Sequence, residues 1–386
     1  MPNSPSSSQP HGDSSPTCER KYGRRDFVTA TGAGLVGAAL TACGDSTAQA
    51  PAATERPVRT REWKMVTTWP NNFPGLGTGA TFLAETITRM TGGRIKVTLY
   101  GAGELVPAFE VFDAVANGTA EIGHAGAYYW KGKAQAAQLF GAVPFGMNAT
   151  EITGWLYYGG GMELWQKVYN RCGLVPALAG HTGVQMGGWF NRQINTIDDL
   201  KGLKMRIPGL GGEVFRRAGG VPVNRPGGEL FNALQTGDID ATEWVGPSND
   251  LAWGLHKAAK YYYYPGWHEP NAALEAMFNK AAFEELPDDL QACVMTACAA
   301  AASHMHAQYT AANPDALNTL INEHGVDVRP FPDEVMSRLR ALTTSVLDDI
   351  AAKDEEFATV LTSYRAFLGK TRAWHDISER AYYGQR

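Results

Sequence analysis

The sequence predicts an α/β protein built as two lobes, and three observations carry that prediction. From Glu62 onward, short β-rich runs alternate with amphipathic stretches, the succession expected of a largely parallel sheet with crossover helices. The segment Phe112-Asp-Ala-Val-Ala-Asn-Gly118-Thr-Ala-Glu is echoed by Phe231-Asn-Ala-Leu-Gln-Thr-Gly237-Asp-Ile-Asp. Each reads as a helix end, a C-cap glycine and the start of a strand, and a duplicated lobe gives such an echo, although any helix–glycine–strand junction shares the pattern. With 386 residues, the chain is long enough for two lobes.

In order, Trp63–Trp69 reads as a strand, Gly79–Thr91 as a helix ended by Gly92-Gly93, and Arg94–Tyr100 as a strand. Pro107–Asn117 is a helix stopped by Gly118, and Thr119–Ala125 is the third strand. Strand-like Trp189-Phe190, a strand ending at Arg206, a short strand within Asp238–Pro247 and the row Tyr261–Tyr264 follow. From Leu286 the pattern turns helical: Leu286–Ala311, then Asp315–His324, then Pro332–Ala352 and Glu355–Thr371. In the last, Ala358, Leu361, Thr362 and Arg365 share one face, and Phe357, Leu361, Tyr364 and Leu368 another. A tail of this kind wraps a core or meets a second subunit.

The first 61 residues stand apart. Residues 1–18 are Ser/Pro-rich and read as disordered. A basic run with paired Arg24-Arg25, a modest apolar stretch and Leu40-Thr41-Ala42-Cys43 then follow the order of a signal peptide. The arginines before Asp26-Phe27 resemble a twin-arginine export signal, and Leu-Thr-Ala-Cys a bacterial lipobox, whose Cys is acylated. Residues 44–61 read as a flexible tether. Gly32-Ala-Gly34-Leu-Val-Gly37 fits a dinucleotide fingerprint, but it lies inside the signal with no strand before it.

Apolar and charged fractions are ordinary for a soluble globular protein, and no later stretch approaches the roughly 20 apolar residues of a membrane span. The formal charge of −5, with no Lys/Arg block after residue 61, argues against a nucleic-acid partner. Beyond the export region, Cys172, Cys293 and Cys298 lack zinc-ligand spacing and read as small buried hydrophobes.

Chemistry concentrates at strand ends. Ligands of doubly wound lobes bind beyond the carboxyl ends of strands, so Tyr128-Tyr129-Trp130 and Glu243-Trp244, which end the echoed motifs, are expected to face one cleft. Glu243 beside Trp244 is a solvated loop acid or a buried one facing a cation. Gln185 precedes the Gly187-Gly188 pair, which permits close approach to a ligand or forms a turn. Arg206, before Pro208-Gly209, offers a planar fork for a carboxylate; a surface salt bridge is the plainer alternative. Tyr261–Tyr264 leads through Pro265-Gly266-Trp267-His268 to a second acid, Glu269. His268, His304 and His306 lack metal-ligand spacing, and no catalytic motif nominates a nucleophile.

Together, Gly-Val-Gln185-Met-Gly-Gly-Trp-Phe, Gly-Leu-Lys-Met-Arg206, Asp-Ala-Thr-Glu243-Trp244 and Tyr-Tyr-Tyr-Tyr-Pro-Gly-Trp resemble the solute-binding proteins of tripartite ATP-independent periplasmic (TRAP) transporters. The resemblance covers roughly residues 62–370 and is greatest to the subgroup binding 2-oxo and 2-hydroxy acids. It implies a two-lobed periplasmic solute-binding fold, with one lobe near 62–183 plus a later return and the other near 184–280. It further implies a long helix across both lobes and a C-terminal helical tail, 332–386, that wraps the core or exchanges between the chains of a homodimer. The site it implies has Arg206 on the ligand carboxylate, with Gln185, Tyr128, Tyr129 and Trp244 around the ligand. Gln185, Glu243, the carbonyl of Trp244 and Glu269 would hold a bridging Na⁺ or Ca²⁺. The partners would be the acid and the membrane permease subunits. A metal-dependent enzyme acting on 2-oxo acids, with Tyr128 or His124 as acid/base, is the competing reading.

The export signal carries its own prediction. The mature chain should begin at Cys43 with a diacylglyceryl thioether; mass spectrometry finding an unmodified terminus beyond Cys43 would contradict it. Replacing Arg24 and Arg25 together should leave precursor in the cytoplasm.

Overall fold

The computed structural model describes residues 60–386; the export signal, the lipobox and most of the tether lie outside the described residues. β1 (Arg61–Thr67), β2 (Ile95–Tyr100), β3 (Ile122–Gly126) and β4 (Leu174–His181) form the first sheet together with β10 (Ala273–Asn279), in the order β2-β1-β3-β10-β4. β5 (Gly188–Phe190), β6 (Lys204–Arg206), β7 (Val221–Val223), β8 (Ala241–Thr242), β9 (Tyr261–Tyr264) and β11 (Asp327–Pro330) form the second, in the order β11-β9-β5-β8-β6-β7.

The sheets share one plan. β1 pairs in parallel with β2 and β3, as β6 does with β7 and β8. On the far side of β3 lies β10, and on the far side of β8 lies β5, each reversed. Gly118 (φ 79°) and Gly237 (φ 74°) end the equivalent helices Val111–Ala116 and Leu230–Gln235, so the echo in the sequence is a repeat in space. The reversed strands correct the expectation of largely parallel sheets: both sheets are mixed, because β5 and β10 are the strands on which the chain crosses between lobes. The return to the first lobe is β10, so residues 273–279 belong there and not to the stretch 184–280 assigned to the second.

The strands 61–67, 95–100 and 122–126 and the helix Leu76–Met90 fall close to their expected limits. The largest departure is the helix Asp288–Asn322. It runs through Pro314 for 35 residues, roughly 50 Å, where two helices were expected. Its first half buries Leu290, Val294, Ala297 and Ala301 against the first sheet, and its second half buries Tyr309 and Leu320 with Trp189 and Tyr262 of the second lobe. Next to Pro314, Asn313 Oδ1 accepts from the Ser248 amide (3.1 Å) and hydroxyl (2.9 Å). Packing on both sides of the proline offsets the cost of about 3 kcal/mol that its missing N–H and its ring impose inside a helix.

The helix Asp333–Ala351 then packs Val335, Leu339 and Val346 on the second lobe, and Glu355–Ile377 returns to the first, burying Phe357, Leu361 and Tyr364. Of the two faces read in that helix, the second is the core face; Thr362 and Arg365 are exposed. Of the three cysteines among the described residues, Cys298 is buried as expected, while Cys172 and Cys293 are half-buried.

One buried acid marks the first lobe. Glu275 on β10 accepts from Trp130 Nε1 (2.5 Å) and the Tyr169 hydroxyl (2.6 Å). Burial pushes its carboxyl up to about 8, against the pull of those two donors. The folded state therefore holds a proton that the unfolded chain releases near pH 4.3, and this stabilisation, complete below that pH, is lost as pH rises to about 8. Glu275→Gln should gain stability relative to the parent across that window, on the order of 4 kcal/mol. Urea unfolding of both from pH 5 to 8.5 checks this; parallel stability curves would contradict it.

Candidate functional site

The two strand crossings run side by side. After β4 the chain passes through Thr182–Gly187, and after β9 it returns through Pro265–Ala272. Gly266 N–H donates to Gln185 O (2.8 Å), Gln185 N–H to Glu269 O (3.3 Å) and Thr182 N–H to Ala272 O (3.2 Å). A Cβ on Gly266 would lie 2.5 Å from the Gln185 carbonyl oxygen, so only glycine lets the segments come this close. Gly187 and Gly188 serve packing: side chains there would strike Phe331 and the Thr242 carbonyl. Close packing against Phe331 and the Thr242 carbonyl accounts for that pair.

Against these crossings come the carboxyl ends of β3, β6 and β8. Arg206, last in β6, is 1 % exposed. Its Nη1 donates to Glu243 Oε1, its Nη2 to the Tyr129 hydroxyl (3.2 Å) and its Nε to the Arg225 carbonyl (3.1 Å). Its guanidinium lies 5.0 Å over the Trp244 ring. Tyr129 follows β3 of the first lobe, so its bond to Arg206 spans the lobes. Glu243, following β8, turns its other oxygen to His268 Nε2 (3.3 Å). Gln185 Nε2 donates to Glu269 Oε2 (2.7 Å) and Thr182 Oγ1 (3.2 Å), while its Oε1 is buried without a partner among the described residues.

Part of this set lines a small cleft, with Thr182, Gln185 and Arg206 as its polar wall and Trp69, Leu76 and Leu274 as its apolar one; Glu243 and Glu269 do not line it and reach it through Arg206 and Gln185. Tyr128, Tyr129 and Trp244 also line it, so both aromatic strand ends do face one cleft. A larger groove of about 810 Å³, beside Glu213 and Asp349, is open and lined by surface charges that pair with one another. Its groups do not converge on a point, and the smaller cavity is the site.

Electrostatics sharpen the picture. Burial works against the charge of Arg206, but Glu243 and the two tyrosines outweigh it and hold the guanidinium firmly protonated. Burial raises Glu269 well above the carboxylate range; Glu243 adds to this, and Arg206 and Gln185 oppose it. Burial likewise raises Tyr128, with the Glu269 charge next. One cation thus faces two buried acids. The unpartnered Gln185 oxygen and the Glu243 and Glu269 carboxylates are hard oxygen donors of the kind that suit Na⁺ or Ca²⁺. No group of three or more His, Cys, Asp or Glu side chains able to hold a metal occurs among the described residues, so an ion here would draw on an amide, backbone and ligand as well.

The structure draws Gln185, Arg206, Glu243, Trp244, Glu269, Tyr128 and Tyr129 together. His124 lies outside the cleft: Trp69 Nε1 donates to its Nδ1 (3.0 Å), which leaves Nε2 to donate to Ala179 O (3.4 Å). Burial lowers it to about 4, so it stays neutral and has no proton-accepting nitrogen free. His268 and Thr182 belong to the site but carry no motif. Asp250 was missed as well: its carboxylate accepts from the Tyr262 hydroxyl (2.6 Å), Trp189 Nε1 (3.0 Å) and the Val245 amide (3.4 Å), anchoring the loop that carries Glu243 and Trp244.

Comparison with known proteins decides the family. Residues 65–354 match the family model for bacterial extracellular solute-binding protein, family 7. The chain belongs to this family of TRAP solute-binding proteins. It is 41% identical over 359 residues, 93% of this chain and 97% of the other, to a monocarboxylate 2-oxoacid-binding periplasmic protein of Nostoc sp.. A TRAP periplasmic solute-binding protein from Pseudoalteromonas atlantica, with bound sodium and pyruvate, is 43% identical with a TM-score of 0.83, covering 85% of this chain and 99% of that one. A TRAP solute-binding protein from Bordetella bronchiseptica is 36% identical with the same TM-score of 0.83, covering 84% and 97%. It is described as a mixed-occupancy dimer with copurified calcium and picolinate in its active site. Family members are extracytoplasmic receptors of transporters and not enzymes, which removes the metal-enzyme reading.

Proposed function

We propose that this chain is the periplasmic receptor for a 2-oxo or 2-hydroxy monocarboxylate, a pyruvate- or lactate-like acid, and delivers it to the membrane permease of a TRAP transporter. The observation that supports this most is the buried Arg206, forked between Glu243 and Tyr129 beside an unpartnered Gln185 oxygen. In this reading Arg206 takes the ligand carboxylate. Gln185, Glu243, Glu269 and the Trp244 carbonyl hold a Na⁺ or Ca²⁺ that also takes the ligand's carboxylate and its 2-oxo or 2-hydroxy oxygen. Pyruvate and picolinate, bound in the relatives, each place a second donor atom next to a carboxylate, the arrangement a bridging cation selects. Without the ion, Glu243 would repel an anionic ligand.

Closure follows from the same geometry. Arg206 and Trp244 belong to one lobe and Tyr128 and Tyr129 to the other, so a ligand among them holds both. Export through Arg24-Arg25 and lipid anchoring at Cys43 complete the proposed topology. The tail also leaves Trp374, Ile377, Tyr382 and Tyr383 exposed, 55–75 % each, consistent with a homodimer through the C-terminal helices. Light scattering at the dimer mass is expected; a monomer mass unchanged with concentration would contradict it.

Removing one partner of a buried charge pair costs about 3–5 kcal/mol, roughly 10²- to 10³-fold in affinity or more. Arg206→Ala should therefore nearly abolish pyruvate binding in calorimetry at saturating calcium, and Arg206→Lys should restore little because the planar fork is lost. Parental affinity in either variant would remove Arg206 from the site.

A further inference from the structure

We propose that a basic groove between the C-terminal helices is a docking site for an acidic segment of the membrane permease. The proposal rests on the reading that this chain delivers its solute to such a permease.

The groove, of about 780 Å³, lies where the turn at Val143–Gly146 meets the helices Asp333–Ala351 and Glu355–Ile377. Three arginines, Arg340, Arg365 and Arg372, line it, and no acid does. Arg340 lies 4.2 Å over the Phe145 ring, and Arg372 Nη2 donates to the Phe145 carbonyl (2.7 Å). Neither has a carboxylate within ion-pair distance among the described residues. The nearby acids are engaged elsewhere: Asp348 pairs with Arg365 (2.7 Å), and Glu151 accepts from Asn148 N–H (2.8 Å) and contacts His375 (3.0 Å). Partial burial, and then Arg372, hold the Arg340 guanidinium below its ordinary value. At the floor, the Tyr364 hydroxyl accepts from Met147 N–H (2.7 Å) and has no acceptor for its own proton among the described residues.

On a chain of net charge −5, a cleft lined by arginines and no acid, with Arg340 and Arg372 outside any ion pair among the described residues and Arg365 paired with Asp348, is a local reversal of sign. Lone surface arginines are ordinarily just solvated. Here one of them stacks on the Phe145 ring and another donates to the Phe145 carbonyl, with Leu347 and Leu361 lining the same groove, which fits acidic side chains on a polypeptide. The groove is also wired to the site. Phe145, in the left-handed region at φ 55°, donates its N–H to the Trp267 carbonyl (2.8 Å) and stacks on that ring at 5.9 Å. Trp267 lies two residues before Glu269 on the crossing segment. A partner held at Phe145 therefore sits one contact away from the crossing segment that carries Glu269, the kind of link a permease needs if it is to distinguish a filled receptor.

The test titrates fluorescently labelled mature protein against vesicles carrying the cognate permease and against empty phosphatidylglycerol vesicles. Charge reversal by Arg340→Glu with Arg372→Glu should raise the half-saturating concentration on permease vesicles about tenfold or more, and added salt should weaken the parent. Lys260→Glu, an exposed reversal outside the groove, should stay within about twofold of the parent. Should the double reversal melt early, Arg340→Gln with Arg372→Gln serves with the same expectation at smaller size. Undiminished binding of the folded double variant to permease vesicles would overturn the proposal. Equal, groove-dependent binding to empty vesicles would also overturn it, assigning the groove to lipid. Calorimetry with pyruvate on the parent and the double variant should give equal affinities; a parent that fails to bind pyruvate refutes the solute reading, while the vesicle comparison still decides the groove.

Discussion

A guanidinium and a carboxylate meet where solvent hardly reaches, and the arrangement of both lobes follows from that contact. Arg206 closes one strand of the second sheet and Glu243 follows its neighbour, so parallel pairing of β6 and β8 sets them side by side. Burying such a pair stabilises little by itself, because desolvation consumes most of the attraction. Its value lies in what it leaves poised: Tyr129 reaches Arg206 from the other lobe, and His268 reaches Glu243 from a crossing segment. Beyond Glu243 lies Glu269, whose carboxyl burial raises well above the ordinary range. A cation entering beside Gln185 would change that balance of charge, and an anion would then be drawn to Arg206.

The scaffold allows this because each strand crossing passes the site. Gln185 and Glu269 sit on paired segments between the sheets, so any rotation of one lobe against the other acts on the residues that line the cavity. The long helix packs on both lobes, and the last helices return over them from the second to the first. Such connections favour a hinge over free separation of the lobes.

Parts of this were legible in the sequence because local rules set them. The glycines after Asn117 and Thr236 cap helices as read, and the run from Trp63 forms a strand, which spans Arg61–Thr67. The break expected between Ala311 and Asp315 does not occur: the helix continues through Pro314, whose local effect is outweighed by packing of Asn313 and Leu320 on the second lobe. β10, Ala-Leu-Glu-Ala-Met-Phe-Asn, is made of helix-favouring residues and becomes a strand only between β3 and β4. At the site, residue types at strand ends nominated Gln185, Arg206, Glu243 and Glu269, and family resemblance supplied their association. His268 and Asp250 stayed hidden because their importance comes from partners distant in sequence, at Glu243 and at Trp189, that no spacing reveals.

The claim that a cation completes the site is tested most directly by calorimetry with pyruvate on metal-stripped protein, repeated as Ca²⁺ or Na⁺ is restored. Solute affinity should be lost with the ion and return with it, and in Glu243→Gln the affinities for ion and solute should fall together, because linkage couples them. Full affinity for pyruvate without any added cation would contradict the account.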